Sequence, residues 1–105
     1  MQDIQRVLSR YRSAFESLDV DALKAVQPGV NERSARALFA SVKGYDVGLK
    51  IERISVAGLV ATAECVGRYD PIPQPPGARS KALRQLFELT WNGESWLIVR
   101  VHTRP

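Results

Sequence analysis

His102, Cys65 and a few carboxylates are the side chains of this 105-residue chain whose types could do chemistry. His102 is the one histidine, and an imidazole titrates near neutral pH, so a general base is conceivable there. Alternation along a regular last strand gives it the parity of Trp96, Ile98 and Arg100, which aims it at the space between helices and sheet. A solvated histidine near a frayed C-terminus is the favoured reading. Cys65 is the one cysteine; it excludes an intrachain disulfide and, beside one histidine, gives no metal-ligand set. Its small apolar neighbours mark a buried core thiol rather than a nucleophile. Asp46 opens a strand and Asp70 borders a proline-rich segment, while Glu64 and Glu88 fall on strand faces opposite the small and aromatic residues. Gly58 and Gly67 are isolated, so no phosphate loop is read. These residues make no complete catalytic set, and no metal or cofactor is expected.

The elements that must position them are legible from periodicity. Ile4, Val7, Leu8, Tyr11, Phe15 and Leu18 form one stripe of period 3.6 and predict a helix over 3–18. Asp19 caps a second, short helix carrying Leu23 and Val26, and Pro28-Gly29 stops it. Asn31 caps a third, from Glu32 to about Val42, with Gly44 as a left-handed residue beyond its end. After Gly44 the period becomes two. Val47, Leu49 and Ile51 share one face while Ile54 and Val56 take the other parity, which predicts a β-bulge near Glu52-Arg53. Ala57-Gly58 reads as a turn. The next strand, Leu59 to Tyr69, sets Ala61, Ala63, Cys65, Gly67 and Tyr69 on one face, small enough for a helix to approach. The prolines of 70–78 predict an exposed, unpaired connection. Strands resume over 81–91 and 94–102, joined by Asn92-Gly93 as a two-residue type I′ turn. The expectation is one α+β domain over residues 1–105, with three N-terminal helices on a curved antiparallel sheet of about four strands.

Composition sets limits. Apolar residues are 45% and charged residues 25%, as in ordinary soluble domains. The net charge of +4 invites a nucleic-acid hypothesis, but the Lys and Arg residues are scattered with no basic run, so none is expected. No apolar stretch reaches the ~20 residues of a membrane span, and no leader-like segment opens the chain. A cytoplasmic protein is the expectation.

Ile4-x-x-Val7-Leu8-x-x-Tyr11-x-x-Ala14-Phe15-x-x-Leu18-Asp19-x-Asp21-x-Leu23 resembles the opening of nuclear-transport-factor-2-like (NTF2-like, SnoaL-like) domains. Leu59-Val-Ala-Thr-Ala-Glu-Cys65 is similar to the central strand of that superfamily, and Trp91-Asn-Gly-Glu-Ser-Trp-Leu-Ile98 to its final hairpin. The chain departs from the pattern between the second and third helices, where Pro28-Gly29-Val30 replaces a small β-hairpin. The resemblance implies a cone-shaped sheet around a pocket. It also points to short bacterial members, some fused to signalling proteins. Enzymes of the superfamily, of isomerase, dehydratase or cyclase type, place a carboxylate near a donor in a water-poor cavity. Tyr11 matches a helix-one tyrosine that donates there, with Asp46 or His102 as its weak partners. Tyr11 as an ordinary core tyrosine is favoured.

Tyr11, Phe15, Cys65, Tyr69, Phe87 and Trp91 are the candidate lining of a pocket for a small apolar ligand, although core packing is the favoured reading of the aromatics. On the opposite face, regular alternation collects Val66, Leu86, Leu97, Val99 and Val101. A substantially apolar outer face marks an association site. The sequence therefore predicts a homodimer through the sheet, in a binding or association module without catalysis.

Overall fold

The computed structural model describes residues 2–77 and 81–104. Three helices, α1 (Gln2–Glu16), α2 (Val20–Val26) and α3 (Glu32–Ala40), precede four strands. These are β1 (Gly44–Ala57), β2 (Val60–Ile72), β3 (Leu83–Trp91) and β4 (Trp96–Arg104). The strands form one antiparallel sheet in the order β1-β2-β3-β4. This is the expected α+β architecture, with the helices packed on one face of the sheet.

The α1 stripe does what its period requires. Ile4, Val7, Leu8, Tyr11 and Ala14 are buried, and Phe15 and Leu18 pack against the same core. Burying such side chains contributes about 2 kcal/mol each, which makes α1 the element around which the core is organised. Beneath it β2 offers Ala61, Ala63 and Cys65, β3 offers Phe87 and Leu89, and β4 offers Ile98, all buried. The Asp19 carboxylate accepts from the Ala22 amide at 3.0 Å, and the Asn31 side chain accepts from the Ser34 amide at 3.0 Å. Both caps thus satisfy amides that the first helical turn leaves free.

Where local signals compete, the boundaries move. The third helix stops at Ala40, because the Ser41 hydroxyl donates to the Leu38 carbonyl at 2.6 Å and ends the ladder. Gly44 is then no left-handed cap. It is the first residue of β1, opposite Ile72, and the Lys43 amide donates to the Ile72 carbonyl at 2.8 Å. Asp70, Pro71 and Ile72, expected in an unpaired connection, belong to β2 and pair with Asp46, Tyr45 and Gly44. Proline is accepted there because β3 pairs with β2 only as far as Gly67, so Pro71 needs no second ladder. Pro73 to Gly77 is exposed, as expected, while Ala78 lies outside the described residues.

Two bulges decide which side chains face the core. The first falls where the phase change predicts it: Ile51 opposes Cys65 and Arg53 opposes Glu64, leaving Glu52 unmatched. The second was not visible in the alternation. Leu89 opposes Ile98 but Glu88 opposes Arg100, so Val99 is the extra residue. One inserted residue sends every later side chain of the strand to the other face. Val101, expected outside, lies opposite Phe87 and packs against the core. His102, expected inside, lies opposite Leu86 on the outer face.

The last hairpin also differs from expectation. Trp91 pairs with Trp96 across a four-residue loop, Asn92 to Ser95. Asn92 Oδ1 accepts from the Glu94 and Ser95 amides at 2.9 and 2.8 Å, and the Asn92 amide donates to the Ser95 carbonyl at 3.1 Å. Only Gly93 takes a positive φ, at 100°. A type I′ turn would require Asn92 to do so as well.

Candidate functional site

Four of the six expected pocket residues meet inside the fold. The Tyr11 ring lies 5.0 Å from Phe15 and 5.2 Å from Phe87, and Phe15 lies 5.3 Å from Tyr69. Phe39 and Tyr45 extend the cluster, each packing against Phe15 at 5.3 and 5.9 Å. Most of these contacts are tilted or edge-to-face, the arrangements in which aromatic quadrupoles attract. Cys65 is buried alongside on β2. Trp91 stands apart, against Trp96 at the hairpin end.

From this cluster a chain of polar groups leads outward to the exposed Thr103 on β4. The Tyr11 hydroxyl hydrogen-bonds Tyr69, the Tyr69 hydroxyl donates to Gln85 Oε1 at 2.8 Å, and Gln85 Nε2 donates to Thr103 Oγ1 at 3.3 Å. Burial, with Tyr69 beside it, holds the Tyr11 hydroxyl far above the ordinary tyrosine range. Burial likewise raises Tyr69, and it pushes the Cys65 thiol up to about 11, with Glu52 adding to the effect. At neutral pH these groups are uncharged. Tyr11 can donate a hydrogen bond, but the partner it finds is another tyrosine.

Gln85 was not among the residues singled out from sequence. Its signal was present, since it shares the parity of Phe87 and Leu89 and so had to be a polar group facing the core. Gly67 serves the same chain: a Cβ there would collide with the Gln85 carboxamide, so glycine makes room for it.

The two expected partners of Tyr11 are elsewhere. Asp46 is exposed on β1, where Arg68 Nη1 lies 3.5 Å from its Oδ2. Arg68 also pairs with Asp70, which is nearly buried, and Gln74 Nε2 lies 3.5 Å from Asp70 Oδ1. Asp70 foremost, then Asp46, raises the Arg68 guanidinium above its usual value. His102 is exposed and contacts the Glu88 carboxylate. Among the described residues, no group of three His, Cys, Asp or Glu side chains is placed to hold a metal ion.

The outer sheet face carries Val66, Leu86 and Leu97, all half-buried, with Val99 53% exposed at the bulge. Along it runs a depression of about 550 Å³ whose lining includes Glu52, Glu64, Arg84, Leu86, His102 and Arg104, and which Cys65, Gln85 and Thr103 also border. Arg53 lies 3.8 Å from Glu64 and Arg84 lies 3.9 Å from Glu52. With Val101 turned inward, this surface is an apolar strip set among charges. It is less apolar than regular alternation predicts.

No helix among the described residues is long and apolar enough to cross a membrane. No protein-family model and no curated protein matches the sequence. Solved structures of similar shape do. A candidate dehydratase of the NTF2-like family from Streptomyces avermitilis superposes with a TM-score of 0.84 at 14% identity, over 99% of this chain and 94% of that one. A candidate association domain of calcium/calmodulin-dependent protein kinase type II from Thiobacillus denitrificans gives 0.79 at 12% identity, over 96% and 93%. Bd1075 of Bdellovibrio bacteriovorus gives 0.81 at 18% identity; the match covers 99% of this chain but 40% of that protein. The chain has the NTF2-like fold.

Proposed function

We propose that this chain is a non-catalytic association module built on the NTF2-like fold, pairing with a second copy through its outer sheet face and serving as one domain of a larger protein. The observation that carries this reading is the polar chain from Tyr11 through Tyr69 and Gln85 to Thr103, which contains neither a carboxylate nor an imidazole. Proton-transfer chemistry needs a carboxylate or imidazole within hydrogen-bond reach of the donor. Here Asp46 and His102 lie on the outer face, and the Tyr11 hydroxyl is taken up by Tyr69. The packed rings act as core rather than as the wall of a ligand pocket. The alternative, an isomerase, dehydratase or cyclase, would have to bring a carboxylate to Tyr11 through the aromatic cluster.

Two comparisons support the association reading. A candidate association domain shares the fold, and the Bdellovibrio protein is much longer than the segment this chain matches. Sedimentation equilibrium tests it directly. The expected result is a species of twice 11.7 kDa at micromolar concentration, returned to monomer by Leu86→Arg or Val99→Arg. A wild-type chain that stays monomeric up to about 100 μM would overturn the proposal, since that limit leaves less than about 5.5 kcal/mol of association energy.

A further inference from the structure

The Trp91 and Trp96 indoles are only partly spent on the core. They are half-buried, with ring centroids 5.8 Å apart and planes inclined at 59°. Between this pair and the first turns of α1 lies a cleft of about 240 Å³, whose charged lining is Asp3, Arg6, Arg10 and Glu94. Arg6 and Arg10 stand one helical turn apart on α1, so both guanidinium groups reach the same opening. Both are exposed, and neither forms an ion pair among the described residues. Asp3 differs from them, because it sits in the first turn of α1, where the helix dipole already favours a carboxylate. On the rim, Asn92 Oδ1 accepts from the Glu94 and Ser95 amides and so ties down the loop that joins the two indoles.

We infer that this cleft is a binding site for a small aromatic or apolar carboxylic acid. The apolar body lies on the indoles, and the carboxylate accepts from the Arg6 and Arg10 guanidinium groups. Each half of the site uses a familiar preference. Planar guanidinium groups match a carboxylate with paired donors, and they also stack favourably beside indole faces. The volume suits one ring with a short acid chain. The cleft shares no lining residue with the Tyr11 ring cluster or with the depression on the outer sheet face, so it is a different site from the proposed dimer surface.

The chain's only two tryptophans both line this cleft, so intrinsic fluorescence reads it selectively. The probe is hydrocinnamate, titrated with excitation at the red edge of the indole band and compared with hydrocinnamide, which keeps the ring and loses the charge. The expected result is a saturable change with the acid and binding weaker by about tenfold with the amide. Arg6→Gln with Arg10→Gln should remove that difference, and Glu94→Gln should strengthen acid binding severalfold by lifting a repulsion. These side chains are exposed, so circular dichroism should show the variants folded as the parent. Equal responses to acid and amide, an unchanged response in the double arginine variant, or no saturable change would overturn the inference.

Discussion

Tyr11 shows how one side chain can satisfy a functional pattern and still be structural. Its place on the α1 stripe buries the ring, and burial raises the hydroxyl far above its ordinary value. The consequence for stability has a definite sign. Below the ordinary tyrosine range both folded and unfolded chains keep the proton, so the burial costs nothing extra. Above about pH 10 the unfolded chain ionises while Tyr11 in the folded chain does not, so the unfolded state binds fewer protons and stability falls. Each such tyrosine contributes a slope of about 1.4 kcal/mol per pH unit. Tyr69, raised by the same cause, adds to it, and so does the Cys65 thiol raised to about 11. Urea denaturation from pH 8 to pH 11 should show a plateau followed by this decline, with Tyr11→Phe removing one proton's worth of slope. A Tyr11 with its hydroxyl in water would leave the slope unchanged on substitution.

The C-terminal hairpin shows what an element's sequence can and cannot announce. Asn92 and Gly93 mark the reversal correctly, yet the loop has four residues, because the Asn92 side chain captures two amides and leaves Gly93 alone in the left-handed region. Nothing lies within 4 Å of a Cβ built on Gly93, so Gly93→Ala tests backbone strain without a clash. It should cost about 1–2 kcal/mol and lower the Tm by several degrees, measured by calorimetry. Legibility follows the physics of each element. The helices were readable to within a few residues, because a 3.6-residue stripe and the side chains of Asp19 and Asn31 are local signals. The β1 bulge was readable because apolar residues flank it on both sides, so the phase change shows in the pattern. The β4 bulge was not, because Val99 is itself apolar and continues a plausible alternation past the slip. That single residue misplaced Val101 and His102 together. The polar chain was only partly legible: Tyr11 and Tyr69 stood on core faces, but their bonding to Gln85 depends on a register between strands that no local pattern states.

At the scale of the whole molecule, the described residues leave the sheet with one face covered by helices, one open face and two open edges. The edges, β1 and β4, are poorly suited to pairing with another chain. Each contains a bulge, at Glu52 and at Val99, and each presents charged side chains, among them Lys50, Arg53, Arg100 and Arg104. Such features discourage edge-to-edge association. The outer face lacks that protection at Leu86 and Leu97, so the proposed pairing is face to face. A domain of this size also gains much from partnership, because small chains bury a smaller share of their apolar surface. If pairing stabilises the fold, mass action makes the melting temperature depend on concentration. For two chains of 105 residues, each tenfold increase in protein should raise the Tm by about 3 °C. Leu86→Arg should abolish that dependence while leaving a folded monomer, because Leu86 lies on the face opposite the helices and outside the core. A wild-type Tm that stays constant over two decades of concentration would show that the open face contributes nothing to stability.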